Sequence, residues 1–155
     1  MIHVTLRAPT PDDIEAVAAD MRPIDRLEAK LVGGLEPKAA LEASVNRSQW
    51  AYAAIADGQP QCIFGVSTLT DSLLGDDGAP WMLGANSLCR HARALLIVSR
   101  PQIVRMRSEY QRLLTIVHAD NHQAIRWLKW LGFSMGEVFQ FKAAPFRKFE
   151  MQGNG

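Results

Sequence analysis

Cysteine is scarce: Cys62 and Cys89 are the only two in 155 residues. Two thiols build neither a disulfide scaffold nor a cysteine-only zinc site, so both are expected to be small buried hydrophobes. No apolar run approaches the roughly 20 residues of a membrane span. The opening Met1-Ile2-His3-Val4-Thr5-Leu6-Arg7 has neither the basic start nor the apolar stretch of a signal peptide. Charge of one sign is lacking as well, since 17 Lys+Arg against 16 Asp+Glu leave +1, and charge-driven disorder is excluded. Repeats, linkers and low-complexity runs are missing. So are a Gly-x-Gly-x-x-Gly turn, a phosphate loop ending in Gly-Lys-Ser/Thr and a Gly-x-Ser-x-Gly elbow. His118, Asp120 and His122 lack a fourth ligand, so no metal is expected.

What is present is an ordinary apolar share, 48%, in a length that suits one domain. Such a chain buries roughly two-thirds of its unfolded surface. Charge is unevenly spread: residues 1–86 hold six basic and twelve acidic side chains, residues 87–130 eight basic and two acidic. A basic block of this kind is either a solvated helix face or an anion-binding one.

Ile2, Val4 and Leu6 alternate with polar residues and predict a strand. Thr10-Pro11-Asp12-Asp13 predicts a capped helix start, with Ile14, Val17, Ala18 and Met21 on one stripe. Pro23 opens a second helix with Ile24, Leu27 and Leu31 inward, ended by Gly33-Gly34. Pro37 opens a third, with Ala40, Leu41 and Val45 inward. Trp50–Ala56 and Cys62–Leu69 read as strands joined at Asp57-Gly58. Residues 71–80 read as a loop, and Trp81–Ala85 as a short strand. Ser87–Val98 and Arg100–Arg112 read as helices broken near Ser99 and Pro101. Leu113–His118 reads as a buried strand. Asp120 or Asn121 caps a helix with Ile125, Leu128 and Leu131 on one face, ended by Gly132. Met135–Phe141 and Phe146–Met151 read as a last strand pair around Pro145. The expected domain covers residues 1–151, with a polar tail at 152–155. The order β-ααα-β-β-β-α-β-α-β-β predicts an α+β, three-layer α/β/α domain with a mixed, mostly antiparallel sheet.

The segment Asn121-His122-Gln123-Ala124-Ile125-Arg126-Trp127-Leu128-Lys129-Trp130-Leu131-Gly132-Phe133, after a buried strand, resembles the strand-to-helix segment of the GNAT superfamily of acyltransferases. There an Asn, a small residue three later and a closing Leu-Gly-Phe recur. Val4-Thr5-Leu6-Arg7 and Thr10-Pro11-Asp12-Asp13 are similar to that superfamily's first strand and helix. A narrower resemblance rests on Met21-Arg22-Pro23-Ile24-Asp25, Leu27-Glu28-Ala29-Lys30 and Gly34-Leu35-Glu36-Pro37 together with Asn121–Phe133. These resemble a family of small tailed-phage proteins that includes internal virion proteins. That resemblance implies a virion or assembly component in the virion or host cytoplasm, working through protein contacts or self-association. The wider one implies, as the alternative, an active N-acetyltransferase using acetyl-CoA.

The resemblance to GNAT enzymes implies a Gln/Arg-x-x-Gly-x-Gly/Ala loop after the fourth strand, holding the donor's pyrophosphate on backbone N–H groups. The matching stretch, Leu83-Gly84-Ala85-Asn86-Ser87-Leu88-Cys89-Arg90-His91, has one glycine. The candidate cofactor contacts are Gly84, Ser87, Arg90 and Asn121. The tyrosine expected to protonate the leaving thiolate is matched by Leu128, which cannot do so, and Tyr110 is the nearest tyrosine. His118 and His122 are the candidate bases, and His91 is a third histidine, in the loop. The expected acyl-CoA site is therefore degenerate.

Nucleic acid binding is not expected, because the arginines of 90–112 lack interleaved aromatics. A docking face is expected instead, since Arg93, Arg100 and Arg107 recur every seven residues and share a helix side. If that stripe binds the chain's acidic half in a second copy, Arg93→Glu with Arg100→Glu weakens association, as does raised salt, with its Debye length of about 8 Å at physiological strength. Sedimentation at low and high salt checks this, and unchanged assembly of the double variant would reduce the stripe to a solvated face.

Overall fold

A computed structural model describes residues 3–69 and 76–155. Among them, seven strands form one sheet in the order β1-β2-β3-β4-β5-β7-β6. The pairings β1–β2, β2–β3, β5–β7 and β6–β7 are antiparallel, and β4–β5 is parallel. The mixed, mostly antiparallel sheet expected from the element order is thus observed. The described residues form two compact units, one of 3–67 and 81–99, the other of 68–69, 76–80 and 100–155.

The first unit begins with β1 (Thr5–Arg7) and α1 (Pro11–Ala19). Thr10 Oγ1 accepts the Asp13 N–H at 3.1 Å while Asp13 Oδ2 accepts the Thr10 N–H at 3.0 Å. This reciprocal box satisfies two end amides at once. Asp13 also binds Arg7 at 2.7 Å. Burial alone would raise the Asp13 carboxyl, but the Arg7 and Thr10 bonds hold it below the usual range. No basic residue lies in the last turn of α1. Arg26 of α2 (Pro23–Gly33) closes it instead, donating to the carbonyls of Ala18, Ala19 and Met21. Gly34 ends α2 in the left-handed region, where a side chain would be strained.

One expectation for α2 fails. Leu27 is exposed, and the residue buried in this helix is Asp25. The polar anchor displaces the apolar stripe because its carboxylate has a backbone donor to meet, described below.

α3 (Pro37–Arg47) buries Ala40 and Leu41. β2 (Ser48–Ala56) and β3 (Gln59–Leu69) turn at Asp57-Gly58, both at positive φ, as a two-residue hairpin requires. The core of this unit joins Val17 and Met21 to Leu41, Ala53, Ile63 and Leu83.

Residues 71–75 of the expected loop, and Ile2 of the first strand, lie outside the described residues. Asp77–Pro80 are not loop: β4 runs Asp77–Gly84. Position 78 suits glycine because a Cβ there would come within 2.7 Å of the Tyr110 ring. A 3-10 turn, Asn86–His91, follows and leads into α4 (Ala92–Glu109). The expected break at Ser99-Pro101 is absent. Pro101 keeps a helical φ at the cost of one ladder N–H and of crowding against the carbonyl one turn back, and Ser99 Oγ donates to the Leu96 carbonyl at 2.7 Å.

The second unit is built on β5 (Arg112–His118) and β7 (Ala144–Gln152), paired along the whole of β5, with β6 (Ser134–Phe141) on the far side of β7. Between β5 and β6, α5 (His122–Leu131) is capped by the Asn121 side chain, which accepts the Ala124 N–H, and is ended by Gly132 at φ 103°. Phe146, Phe149, Leu113 and Trp127 fill the interior. Trp127, which the expected Ile125–Leu128–Leu131 face omits, is the buried residue of α5. Residues 153–155 are tied down: Gly153 N–H reaches the Gln111 carbonyl and Asn154 N–H the Arg107 carbonyl.

Gly65 faces β2 so closely that a Cβ would sit 2.5 Å from the Trp50 carbonyl oxygen, a backbone atom. Gly65→Ala is expected to lower stability by about 1–3 kcal/mol through overpacking. Urea titration checks it, and an unchanged midpoint would mean that the β2 backbone yields.

Candidate functional site

The loop after β4 belongs wholly to the first unit, and its backbone is already engaged. The Ala85 N–H donates to the Gln61 carbonyl of β3 at 2.9 Å. Neighbouring residues of an extended chain point their N–H groups to opposite sides. The Gly84 N–H accordingly points away from β3, and there it meets Asp25 Oδ2 at 2.8 Å. The Gly84 carbonyl accepts the Arg22 N–H at 2.9 Å. The Asn86 N–H goes to the Asp20 carbonyl at 2.9 Å, and the Asn86 side-chain amide to Asp20 Oδ1. The junction of α1 and α2 thus covers the outer edge of β4 at its last residue.

Asp25 is 2% exposed, with Arg22 Nη1 at 3.6 Å from its Oδ2. Desolvation pushes its carboxyl up to about 6, although the Arg22 charge and the Gly84 N–H pull the other way. Cys62, fully buried nearby, is pushed up to about 12 by burial and by the Asp25 charge. It is an inert hydrophobe, as expected, whereas Cys89 is exposed.

Ser87 donates its hydroxyl to Gln61 Oε1 at 2.6 Å. Gln61 is itself buried, and its Nε2 donates to the Gln59 and Ala56 carbonyls. Ser87 therefore clamps the 3-10 turn to the β2–β3 hairpin. His91 is buried with Nε2 3.8 Å from Asp57 Oδ2. Arg90 and Arg93 are exposed. A pyrophosphate cradle made of backbone N–H groups does not fit Gly84–Asn86, because all three amides are spent on the chain itself.

The remaining candidates lie in the second unit. His118, 5% exposed, accepts the Asp120 N–H on Nδ1 at 3.0 Å and meets the Phe146 ring edge-on. With Nδ1 occupied as acceptor, the neutral ring carries its proton on Nε2 and offers a donor there. Asn121 is buried as the α5 cap, and His122 stands exposed on the first turn of that helix. Tyr110 is buried, and its hydroxyl bonds Thr68 Oγ1 at 2.7 Å. It is a structural post for Gly78 and the C-terminal residues.

The arginine stripe is not a uniform face. Arg100 stacks on the Trp130 ring at 4.2 Å. Arg107 is half-buried and donates to the Gln152 carbonyl at 3.0 Å. Arg100 and Arg107 thus have local partners of different kinds, while Arg93 is exposed.

No protein-family model matches the sequence, and no curated protein matches it. Solved structures do. The aminoglycoside acetyltransferase AAC(6')-Ib in complex with coenzyme A matches at a TM-score of 0.66 and 16% identity, over 96% of this chain and 94% of that one. Ard1 from Thermoplasma volcanium matches at 0.68 and 13%, over 98% and 99%. An acetyltransferase of the GNAT family from Streptococcus pneumoniae matches at 0.59 and 13%, over 98% and 100%. The fold is that of the GNAT acetyltransferases. At such identities the likeness carries the architecture, and function has to be read from the residues.

Asp25 and Gln61 went unread in the sequence. Asp25 stands in the first turn of a proline-started helix, where an acid is ordinarily explained by the helix dipole. Gln61 adjoins an apolar strand run and carries no spacing signal.

The raised Asp25 carboxyl has a definite sign in stability. Its folded value lies near 6 against an ordinary 3.8, so ionisation is disfavoured by folding. The contribution is full below the ordinary value and is lost as pH rises through the folded one. Relative to Asp25→Asn, the protein should lose on the order of 2–3 kcal/mol between about pH 4 and pH 8. Denaturant midpoints across that range measure it, and a pH-independent difference would mean that the carboxylate is not desolvated.

Proposed function

We propose that the chain is an N-acetyltransferase that moves an acetyl group from acetyl-CoA to an amine. The observation that carries this reading is the GNAT acetyltransferase fold matched over nearly the whole chain, by structures that include one with coenzyme A. The residues allot the remaining parts unevenly. Arg90 and Arg93 are the cations available to the donor's phosphates. His122 is exposed and able to take a proton from an acceptor amine, whereas the acceptor nitrogen of His118 is already used by the Asp120 amide. Asn121 holds the turn that presents His122.

Calorimetry with acetyl-CoA, followed by amine-dependent release of free thiol, tests the reading. Submillimolar binding with turnover is expected, and no heat up to millimolar donor overturns it. His122→Ala should lower kcat by about 10²–10⁴-fold, the usual worth of a general base, with the fold retained. An unchanged rate would move the base elsewhere.

A second reading is favoured by one observation, the internal bonding of the Gly84, Ala85 and Asn86 amides. In that reading the chain keeps the fold without catalysis and acts through protein contacts, as a phage virion or assembly component would. Association of the purified protein in the absence of any acetyl-CoA heat favours it.

A further inference from the structure

We propose that the outer edge of β6 docks a second copy of this chain, with Val138 and Gln140 of one copy paired to Gln140 and Val138 of the other about a two-fold axis. This goes beyond the acetyltransferase reading and holds with or without catalysis.

β6 stands at one end of the sheet order, and no strand lies beyond it among the described residues. Which of its backbone groups face outward follows from its hairpin with β7. Lys142 and Ala143, both at positive φ, form a two-residue turn, so the flanking Phe141 and Ala144 exchange hydrogen bonds. Alternation along the ladder then makes Gln140, opposite Pro145, a pair that exchanges none. Pro145 agrees with this on both counts. It has no N–H to give, and its carbonyl accepts the Ala119 N–H at 2.9 Å, on the side away from β6. Phe139 and Phe146 are bonded in their turn, and Val138 and Arg147 are not. The N–H and C=O groups of Val138 and Gln140 therefore point away from β7, off the edge of the sheet. Such an edge is a template for pairing with another chain.

Only part of the edge is blunted. Gly136 and Glu137 together oppose Lys148 in a bulge, and Arg147 Nη1 donates to the Gly136 carbonyl at 3.0 Å. The stretch that follows, Val138-Phe139-Gln140-Phe141, holds neither a charge nor a proline, the usual guards of an edge. Val138 is 44% exposed on it.

The occupant that fits is the same stretch of a second copy. The bulge on one side and the turn on the other leave Val138 to Gln140 as the open span. An antiparallel register centred on Phe139 matches both outward residues of one copy with both of the other. Shifted by two residues either way, it would set Gln140 against the bulge or Val138 against the turn. In the centred register Phe139 lies opposite its own mate, about 4.5 Å away between Cα atoms, as a cross-strand aromatic pair. Glu137 lies opposite Phe141 of the second copy, on the same face. Lys142 Nζ lies over that Phe141 ring, 5.5 Å from its centre. Each acid thus approaches a cation across the axis, and the two-fold repeats the match.

Sedimentation of the full chain over a range of concentrations, with amide exchange followed by NMR, tests the proposal. A monomer–dimer equilibrium in the roughly micromolar to millimolar range is expected, since so small a contact falls below the size of stable interfaces. The Val138 and Gln140 amides should exchange more slowly as concentration rises. Val138→Lys with Gln140→Lys puts like charges opposite one another on both sides of the axis and should weaken the dimer at least about fivefold. Val138→Lys with Gln140→Glu puts unlike charges there and should restore it, which pairing in any other register would not do. A monomer at millimolar concentration overturns the proposal. So does a dimer that the Lys–Lys variant leaves intact, or a loss that the Lys–Glu variant fails to restore. Should the variants not fold, exchange in the wild type decides, and rates at Val138 and Gln140 that ignore concentration overturn it. Association that vanishes in raised salt and in Arg93→Glu with Arg100→Glu, with those two amides unchanged, belongs to the arginines of α4 and overturns it as well.

Discussion

The hydrogen bond from the Gly84 amide to the Asp25 carboxylate governs much of the first unit. It fixes the end of β4 to the start of α2, and the Met21–Ala85 bridge and the Arg22–Gly84 bond reinforce the same junction. A buried carboxylate costs free energy unless it is paired and hydrogen-bonded. Here an amide and a guanidinium offset part of that cost, and the remainder shows as a carboxyl raised to about 6. Such pairs define geometry better than they add stability. The loop after β4 is consequently held by its own chain, residue after residue, from Gly84 to Ser87.

That arrangement separates the fold of this protein from the chemistry its fold suggests. The sheet order and the capped helix after β5 need only apolar patterning, caps and turn glycines. A diphosphate cradle needs something more specific, namely backbone donors left without partners in the folded state. At Gly84–Asn86 those donors are spent internally. One of the three is taken by an acidic side chain and the other two by backbone carbonyls, so the difference from such a cradle is spread over several segments.

Most of the architecture was legible because local signals agreed with one another. The Thr10 box, the Asp57-Gly58 turn, the Asn121 cap and the Gly34 and Gly132 ends each name their own backbone geometry. Errors fell where a distant partner overrode local preference. Asp25 took the buried position of α2 because Gly84 lay across from it, and Leu27 was left in solvent. Pro101 looked like a break, yet α4 passes through it. Lys142 and Ala143 form a turn at positive φ with no glycine to announce it, so the strand pair was legible and its turn was not. The candidate site was legible as a list of residues. Which of its donors were already taken was not, because each partner comes from a segment remote in sequence.

The basic block between residues 87 and 130 carries the same lesson into electrostatics. Seven-residue spacing made one face of Arg93, Arg100 and Arg107, but a charge stripe docks a partner only if its cations are not otherwise engaged. Arg100 lies over an exposed Trp130, a contact that keeps the guanidinium in water and is worth on the order of 0.5–1 kcal/mol. Arg107 is held by a carbonyl of the C-terminal segment. Neither engagement neutralises the charge, so both remain sources of positive potential, yet each fixes the side chain in a direction set by its own unit. Arg90 and Arg93 are exposed and follow the loop whose Gly84, Ala85 and Asn86 amides are bonded within the chain.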